Sequence, residues 1–302
     1  MTAEKKPLLI LAPLRGVTVK TFRNVFAPLL AECGFTSAIS PFIAANPMLK
    51  IRNSYLNDII GENSPSKIKL IPQAIGKHPD AFTVLLKAFR DAGYECADLN
   101  CGCPYPMVAN KGRGAGIMRH PDVLDAMLEA GCKTLGEGKL SVKIRLGVDS
   151  SNELEKLLPV INRYPLSFVT IHARTAKQMY SGTCDINTFS AAAAMCRHPV
   201  IYNGDLPCPV STTTHLPQAA GYMIGRGFLK YSATVPSSKE LLLQYLDACE
   251  SECSSKYAAV GRLKELLSYW RGSAPWAGLW DLIKMCRTPD EMRLILPCAG
   301  GR

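Results

Sequence analysis

No apolar run in the 302-residue sequence is long enough to cross a bilayer or to act as a secretory leader. The polar start "MTAEKKP" is followed only by the short run "LLILAPL" (8–14), so a soluble, cytoplasmic protein is expected. There is also no C-x-x-C pair, although the chain carries 12 cysteines. The tightest couple, Cys101 and Cys103, is too close for a zinc knuckle, and no metal is expected. Most of the others (Cys33, Cys96, Cys132, Cys196, Cys249) are scattered through apolar segments, where reduced cysteines behave as small hydrophobes. No G-x-G-x-x-G opens the first helix, which argues against a doubly wound dinucleotide-binding sheet. No Lys-Ser/Thr follows the glycines of "NKGRGAG" (110–116), which excludes a Walker loop; a mobile flap closing over substrate is expected there instead. Low-complexity segments are missing too.

What is present is alternation. Eight short apolar runs, starting at "LLILAPL" (8–14), "TSAISPF" (36–42), "KLIPQAIG" (69–76) and "CADLNCG" (96–102), read as strands. They continue with "SVKIRLG" (141–147), "FVTIHA" (168–173), "PVIYNGD" (199–205) and "GYMIGRG" (221–227). Between most of them lie stretches of helical periodicity, such as 20–32, 80–93 and 121–131. Eight βα units predict an α/β fold, a (β/α)8 TIM barrel, over residues 1–237. Residues 238–302 offer helical patterns with no strand candidate, and a small all-helical domain is expected there. The formal net charge is +10, which points to an anionic partner. Residues 1–237 hold 26 Lys and Arg against 17 Asp and Glu, whereas 238–302 hold 9 against 8, so the surplus lies in the barrel.

A barrel of this kind builds its site at the C-terminal ends of its strands. Those ends read Pro13, Leu14 and Arg15; Gln73; Asn100 and Cys103; Lys143 and Arg145; His172 and Arg174; Asn203, Gly204 and Asp205; Gly225 and Arg226. The last two ends, "NGD" and "IGRG", place glycines and an arginine where barrels commonly bind phosphate through backbone N–H groups and a helix N-terminus. Lys143 and His172 can donate to a ring carrying negative charge, and Gln73 suits the edge of a flat heteroaromatic. Together they suggest flavin mononucleotide (FMN). Cys103 is then either a nucleophile with His172 as its base or an acid, since a free thiol with a pKa of about 8.5 is mostly protonated at neutral pH.

Taken in order, "LAPLRGVT", "DLNCGCP…KGRGAG", "VKIRLG", "TIHART…QMYSG", "NGD" and "MIGRG" resemble the tRNA-dihydrouridine synthases, and "GRLKELLSYWRG" resembles the helical tail of the C-type subgroup. The resemblance implies an FMN barrel that uses NADPH to reduce the C5–C6 bond of a uridine in the tRNA D-loop. It implies that Cys103 protonates C5 after hydride reaches C6. Pro13, Leu14, Gln73, Lys143, His172, Asn203, Gly204, Asp205, Gly225 and Arg226 fall on flavin-contacting positions. Asn100, Arg145, Arg174 and Tyr180 fall on positions associated with the uracil or the RNA. The helical domain would bind tRNA, and the protein is expected to act as a monomer. Leu14 and Arg15 in "APLRG", where the family has A-P-M-E-G, and Pro41 in "SPF", where it often has T-E-F, depart from the pattern. The alternatives are an FMN barrel reducing a small pyrimidine or enone, and an RNA-binding homologue without catalysis.

Overall fold

The structure, a computed structural model, describes residues 7–45, 51, 53–61, 68–210 and 216–298. Its first strand is Leu8–Leu11. The second is interrupted, Ser37–Ile39 then Ile43–Ala44, and so is the third, Lys69–Ile71 then Gln73–Ile75. The fourth to eighth are Ala97–Cys101, Leu140–Gly147, Val169–Thr175, Val200–Asn203 and Gly221–Ile224. Every pairing is parallel, and the eighth strand pairs back onto the first, so the eight strands close into the expected barrel.

The two interruptions face each other. Pro72 has no N–H to give, and the Ser40 hydroxyl accepts from the Gln73 N–H at 3.1 Å while the Ser40 N–H bonds the Ile71 carbonyl at 3.1 Å. A further interruption splits the periodic stretch 20–32 into helices Lys20–Val25 and Ala27–Glu32. Pro28 cannot continue a helix from the preceding turn but is at home in the first turn of a new one.

Strand alternation sorts the core into two layers. The larger lies between sheet and helices. A small separate cluster of Ile10, Ala12, Ile39, Ile71, Phe168, Ile201 and Met223 fills the barrel interior. The polar inward side chains are those the apolar cluster leaves room for.

Beyond the barrel run helices Ser238–Glu252, Lys256–Trp270, Trp280–Met285 and Pro289–Ile295. Ser255 caps the second of these, and Thr288 with Glu291 forms a capping box on the last. The tail is joined to the barrel by buried side chains. Phe22 stacks on Phe26 at 4.3 Å and meets the ring edges of Tyr245 at 6.1 Å and Phe228 at 6.2 Å. Thr21 donates to Glu252 at 2.5 Å and accepts from Arg262 at 3.1 Å, and the Trp276 indole donates to the Ala233 carbonyl at 3.0 Å.

Phe22→Ala should therefore cost about 3–5 kcal/mol, the usual range for deleting a buried phenylalanine. Because the core is continuous, barrel and tail should unfold together. The 3 tryptophans, Trp270, Trp276 and Trp280, all lie in the tail, so their fluorescence reports it selectively. Urea transitions by fluorescence and by far-UV circular dichroism should coincide; separated midpoints would show an independent tail.

Candidate active site

A cavity of about 870 Å³ opens at the C-terminal mouth of the barrel, within the range of small-molecule sites. Pro13, Leu14, Gln73, Asn100, Cys103, Lys143, Arg145, His172, Tyr180, Asn203, Gly204, Asp205, Gly225 and Arg226 all line it. Arg174 does not.

On one wall a chain of hydrogen bonds ends in a carboxylate that the sequence reading overlooked. Ser141 and Gln73 donate to the two oxygens of Asp98, each at 2.7 Å, and Asn100 donates to the Gln73 carbonyl oxygen at 2.8 Å. The Asn100 carbonyl oxygen accepts from the backbone N–H groups of Gly102 at 3.1 Å and Cys103 at 2.9 Å. Burial raises the Asp98 carboxyl to about 6; its two hydrogen bonds and Lys143 resist a larger rise. Period-two alternation could have found both missed residues, because Asp98 shares a face with Asn100 and Ser141 with Lys143.

Cys103 stands above this wall, partly buried. Burial pushes its thiol above the ordinary value, against the Tyr105 backbone and the charges of Arg145, Arg15 and Lys143. It therefore keeps its proton at neutral pH, which suits an acid better than a nucleophile. Cys101 points the other way, fully buried in the outer core, where burial drives its thiol far upward.

Of the segment expected to be a mobile flap, the end from Gly114 is packed as a support, while Asn110 and Lys111 are exposed. Residues Gly114–Arg119 form a 3-10 turn whose first five residues are buried, and the Ala115 N–H bonds the Cys103 carbonyl at 2.9 Å. Gly114 has φ +55°, and a Cβ there would lie 2.9 Å from the Cys103 Cβ; one on Gly116 would lie 2.0 Å from the Ala109 carbonyl oxygen. Close packing beneath the cysteine, not hinge freedom, requires these glycines.

Beside this wall, on the next strands, stand the cations, with Lys143 in register with Asn100. The Lys143 amine bonds Asn203 at 3.1 Å, and burial with Arg145 lowers its pKa to about 8 while Asp98 pulls it upward. Arg145 bonds the Gly102, Thr175 and Met179 carbonyls, each at 2.8 Å, and burial lowers it to about 10. Its guanidinium carbon lies 5.5 Å from the Tyr180 ring centre, and that of Arg226 lies 5.0 Å away. Burial, with Lys143, Arg145, Arg174 and Arg226 nearby, drives His172 far below the ordinary histidine value, so it is neutral.

Arg174, expected among the RNA contacts, is only 1% exposed. It bonds the Ser181 carbonyl at 3.1 Å, the Gly182 carbonyl at 2.5 Å, the Cys184 sulfur at 3.0 Å and the Asp205 carboxylate. Inward alternation from His172 carries it under the loop it braces. The second Asp205 oxygen takes Arg226 at 2.8 Å, and the two arginines overcome the upward pull of burial to hold this carboxyl below its usual range. Gly204 beside it has φ +141°, and a Cβ there would meet the Cys184 sulfur at 2.5 Å. Of the departures from the family pattern, Arg15 is exposed at the rim, 5.8 Å from the Phe42 ring centre.

The tail completes the wall. Glu265, Tyr269 and Ser273 line the cavity, the first two one turn apart on helix Lys256–Trp270. Among the described residues no group of three or more His, Cys, Asp and Glu could hold a metal ion, and no helix is long and apolar enough to cross a membrane.

A parallel barrel whose mouth gathers cations, amides and a protonated thiol has the makings of a site for an anionic ligand. The comparisons narrow the class. The dihydrouridine synthase (Dus) family model matches residues 10–263, and the chain belongs to that family. It is 31% identical over 229 residues to a probable tRNA-dihydrouridine synthase of Rhodobacter capsulatus, covering 73% of this chain and 67% of the relative. It is 25% identical over 312 residues to a tRNA-dihydrouridine(16) synthase of Pasteurella multocida, covering 94% and 97%. Among solved structures, morphinone reductase in complex with tetrahydroNAD superposes with a TM-score of 0.52 at 8% identity, over 74% of this chain and 84% of that one. That likeness concerns the barrel fold alone.

In the ligand-free chain the Lys143 amine should titrate near 8, which NMR of reductively methylated lysines can read. Asp98→Asn removes a negative neighbour that favours the ammonium, so it should move that titration lower. A value near the unperturbed lysine figure of about 10.4, or an upward shift in the variant, would contradict this electrostatic account.

Proposed function

We propose that this chain is a tRNA-dihydrouridine synthase that reduces the C5–C6 double bond of a D-loop uridine to 5,6-dihydrouridine, with FMN as its cofactor and NADPH as reductant. The observation that carries the reading is Cys103, a thiol kept protonated by burial on the wall of a cavity otherwise rich in cations.

The residues fit FMN. Gln73 and Asn100 offer amide groups to a heteroaromatic edge, and Lys143 with neutral His172 offers polar contacts to its ring. Arg15, Lys143, Arg145, Arg226 and Lys230 outnumber Asp205 and Glu265 around the cavity, which favours a phosphate. Pro13, Leu14, Gln73, Lys143, His172, Asn203, Gly204, Asp205, Gly225 and Arg226 would hold the group. Asp205 has both oxygens committed to arginines, so its part is to aim Arg226. Held there in its reduced form, FMN would supply the hydride for C6 of the uracil. Cys103 gives its thiol proton to C5. The charge of Arg145 offsets the negative charge that grows toward O4 as the double bond is reduced. Tyr180, resting against two guanidiniums, presents a fixed aromatic face to the base, and Asn100 presents an N–H.

A target base must leave its stack to enter such a cavity. The formal charge of +10 supplies attraction for the RNA backbone. The tail residues on the cavity wall support a role for residues 238–302 in tRNA binding. The match to the Pasteurella multocida enzyme spans that tail too, which supports the position in that enzyme's name. The protein acts as a single chain in the cytoplasm.

Cys103→Ala should still bind FMN and still be reduced by NADPH. Re-oxidation of the reduced protein by unmodified tRNA should slow by ~10²–10⁴-fold, the usual contribution of a general acid. Cys101→Ala should change that rate little. Single-turnover mixing measures it, and equal rates in wild type and Cys103→Ala would remove the acid role.

A further inference from the structure

The wall hydrogen bonds all run in one direction. The backbone N–H groups of Gly102 and Cys103 donate to Asn100, Asn100 donates to Gln73, and Gln73 donates to Asp98. Ser141 donates to the remaining Asp98 oxygen. Backbone N–H groups can only donate, and a carboxylate can only accept, so the chain has two ends of fixed and opposite character. Each amide between them is oriented from both sides. Turning either one over would set nitrogen against nitrogen and oxygen against oxygen, in a place with no exposure at Asp98 or Gln73 and 7% at Asn100.

We infer that Asp98 is a positioning residue, whose carboxylate terminates this chain and thereby fixes both the Gln73 amide at the cofactor edge and the backbone that carries Cys103. The inference rests on reading the cavity as a flavin site. Each amide spends one N–H in the chain and keeps one, so a bound ring meets donors of settled direction. The acid is set by the same carboxylate, because Asn100 ties the turn Gly102–Cys103 to Gln73. Remove the acceptor and the Gln73 nitrogen is left buried without a partner. The amide then swings to find one, and Asn100 loses its orientation from below.

The test uses the full chain with Asp98→Ala, Asp98→Asn and Gln73→Met. In flavin-free protein, iodoacetamide alkylation of Cys103 is followed at the peptide level by mass spectrometry, with Cys101 as the buried reference. Asp98→Ala should speed alkylation of Cys103 about tenfold, the equivalent of one buried hydrogen bond. Asp98→Asn should restore the wild-type rate. Its oxygen can still accept from Gln73, while the Ser141 hydroxyl can rotate to accept from its nitrogen. After loading with FMN, Asp98→Ala should shift the visible flavin band.

An unchanged alkylation rate and band in Asp98→Ala would overturn the inference. So would an Asp98→Asn variant alkylated at Cys103 as fast as Asp98→Ala, since charge and not acceptor position would then be at work. Should Asp98→Ala fail to fold, Gln73→Met cuts the same chain at the next link. It should loosen Cys103 likewise, and a wild-type alkylation rate there would be equally fatal. Failure of the wild-type chain to take up FMN would overturn the reading of the cavity alone, because the alkylation arm needs no flavin.

Discussion

Lys143, Arg145, Arg174 and Arg226 crowd one barrel mouth, and the site depends on holding them there against mutual repulsion and loss of solvent. Carbonyl oxygens do much of the work. Arg145 takes three and Arg174 two, all at strand ends or in the loops that carry site residues. Asp205 takes Arg174 and Arg226 together. The cost of confining these charges appears in their neighbours. His172 is kept neutral, Lys143 is brought down toward neutral pH, and the loop bearing Tyr180 is anchored by the same guanidiniums that shape the potential.

The barrel was legible because its strands are buried on both faces and read as apolar runs broken by glycine, proline and charge. The mouth was legible for a related reason: a charged residue closing an apolar run has no use in the core, and most such residues do line one cavity. Arg174 fails this rule. Its position on the strand resembles that of Arg145, and its internal partners come from the folded loop Ser181 to Cys184 and from Asp205. Gly114 and Gly116 of "NKGRGAG" misled in the opposite sense. Glycine signals either freedom or close approach, and sequence alone does not say which. The third strand hides its break at Pro72, because Ser40 supplies a substitute partner from the strand beside it.

What the sequence could not show was assembly across distance. Glu265 and Tyr269 sit far along the chain on a helix whose pattern announces only amphipathicity. They reach the cavity because Phe22, Phe26, Phe228 and Tyr245 bring the tail against the barrel. Asp98 was hidden by its setting in an apolar strand, where an isolated carboxylate is easily passed over as part of a turn signal.

The shared aromatic core between barrel and tail bears on how the cavity meets its ligand. A wall carried on a separately hinged unit would have to be ordered at the moment of binding, and that loss of freedom would be subtracted from affinity. Here the wall helix is ordered by the same packing that folds the barrel, so its conformational entropy has been surrendered long before any ligand arrives. The cavity is accordingly preorganised on its tail side as firmly as on its strand side.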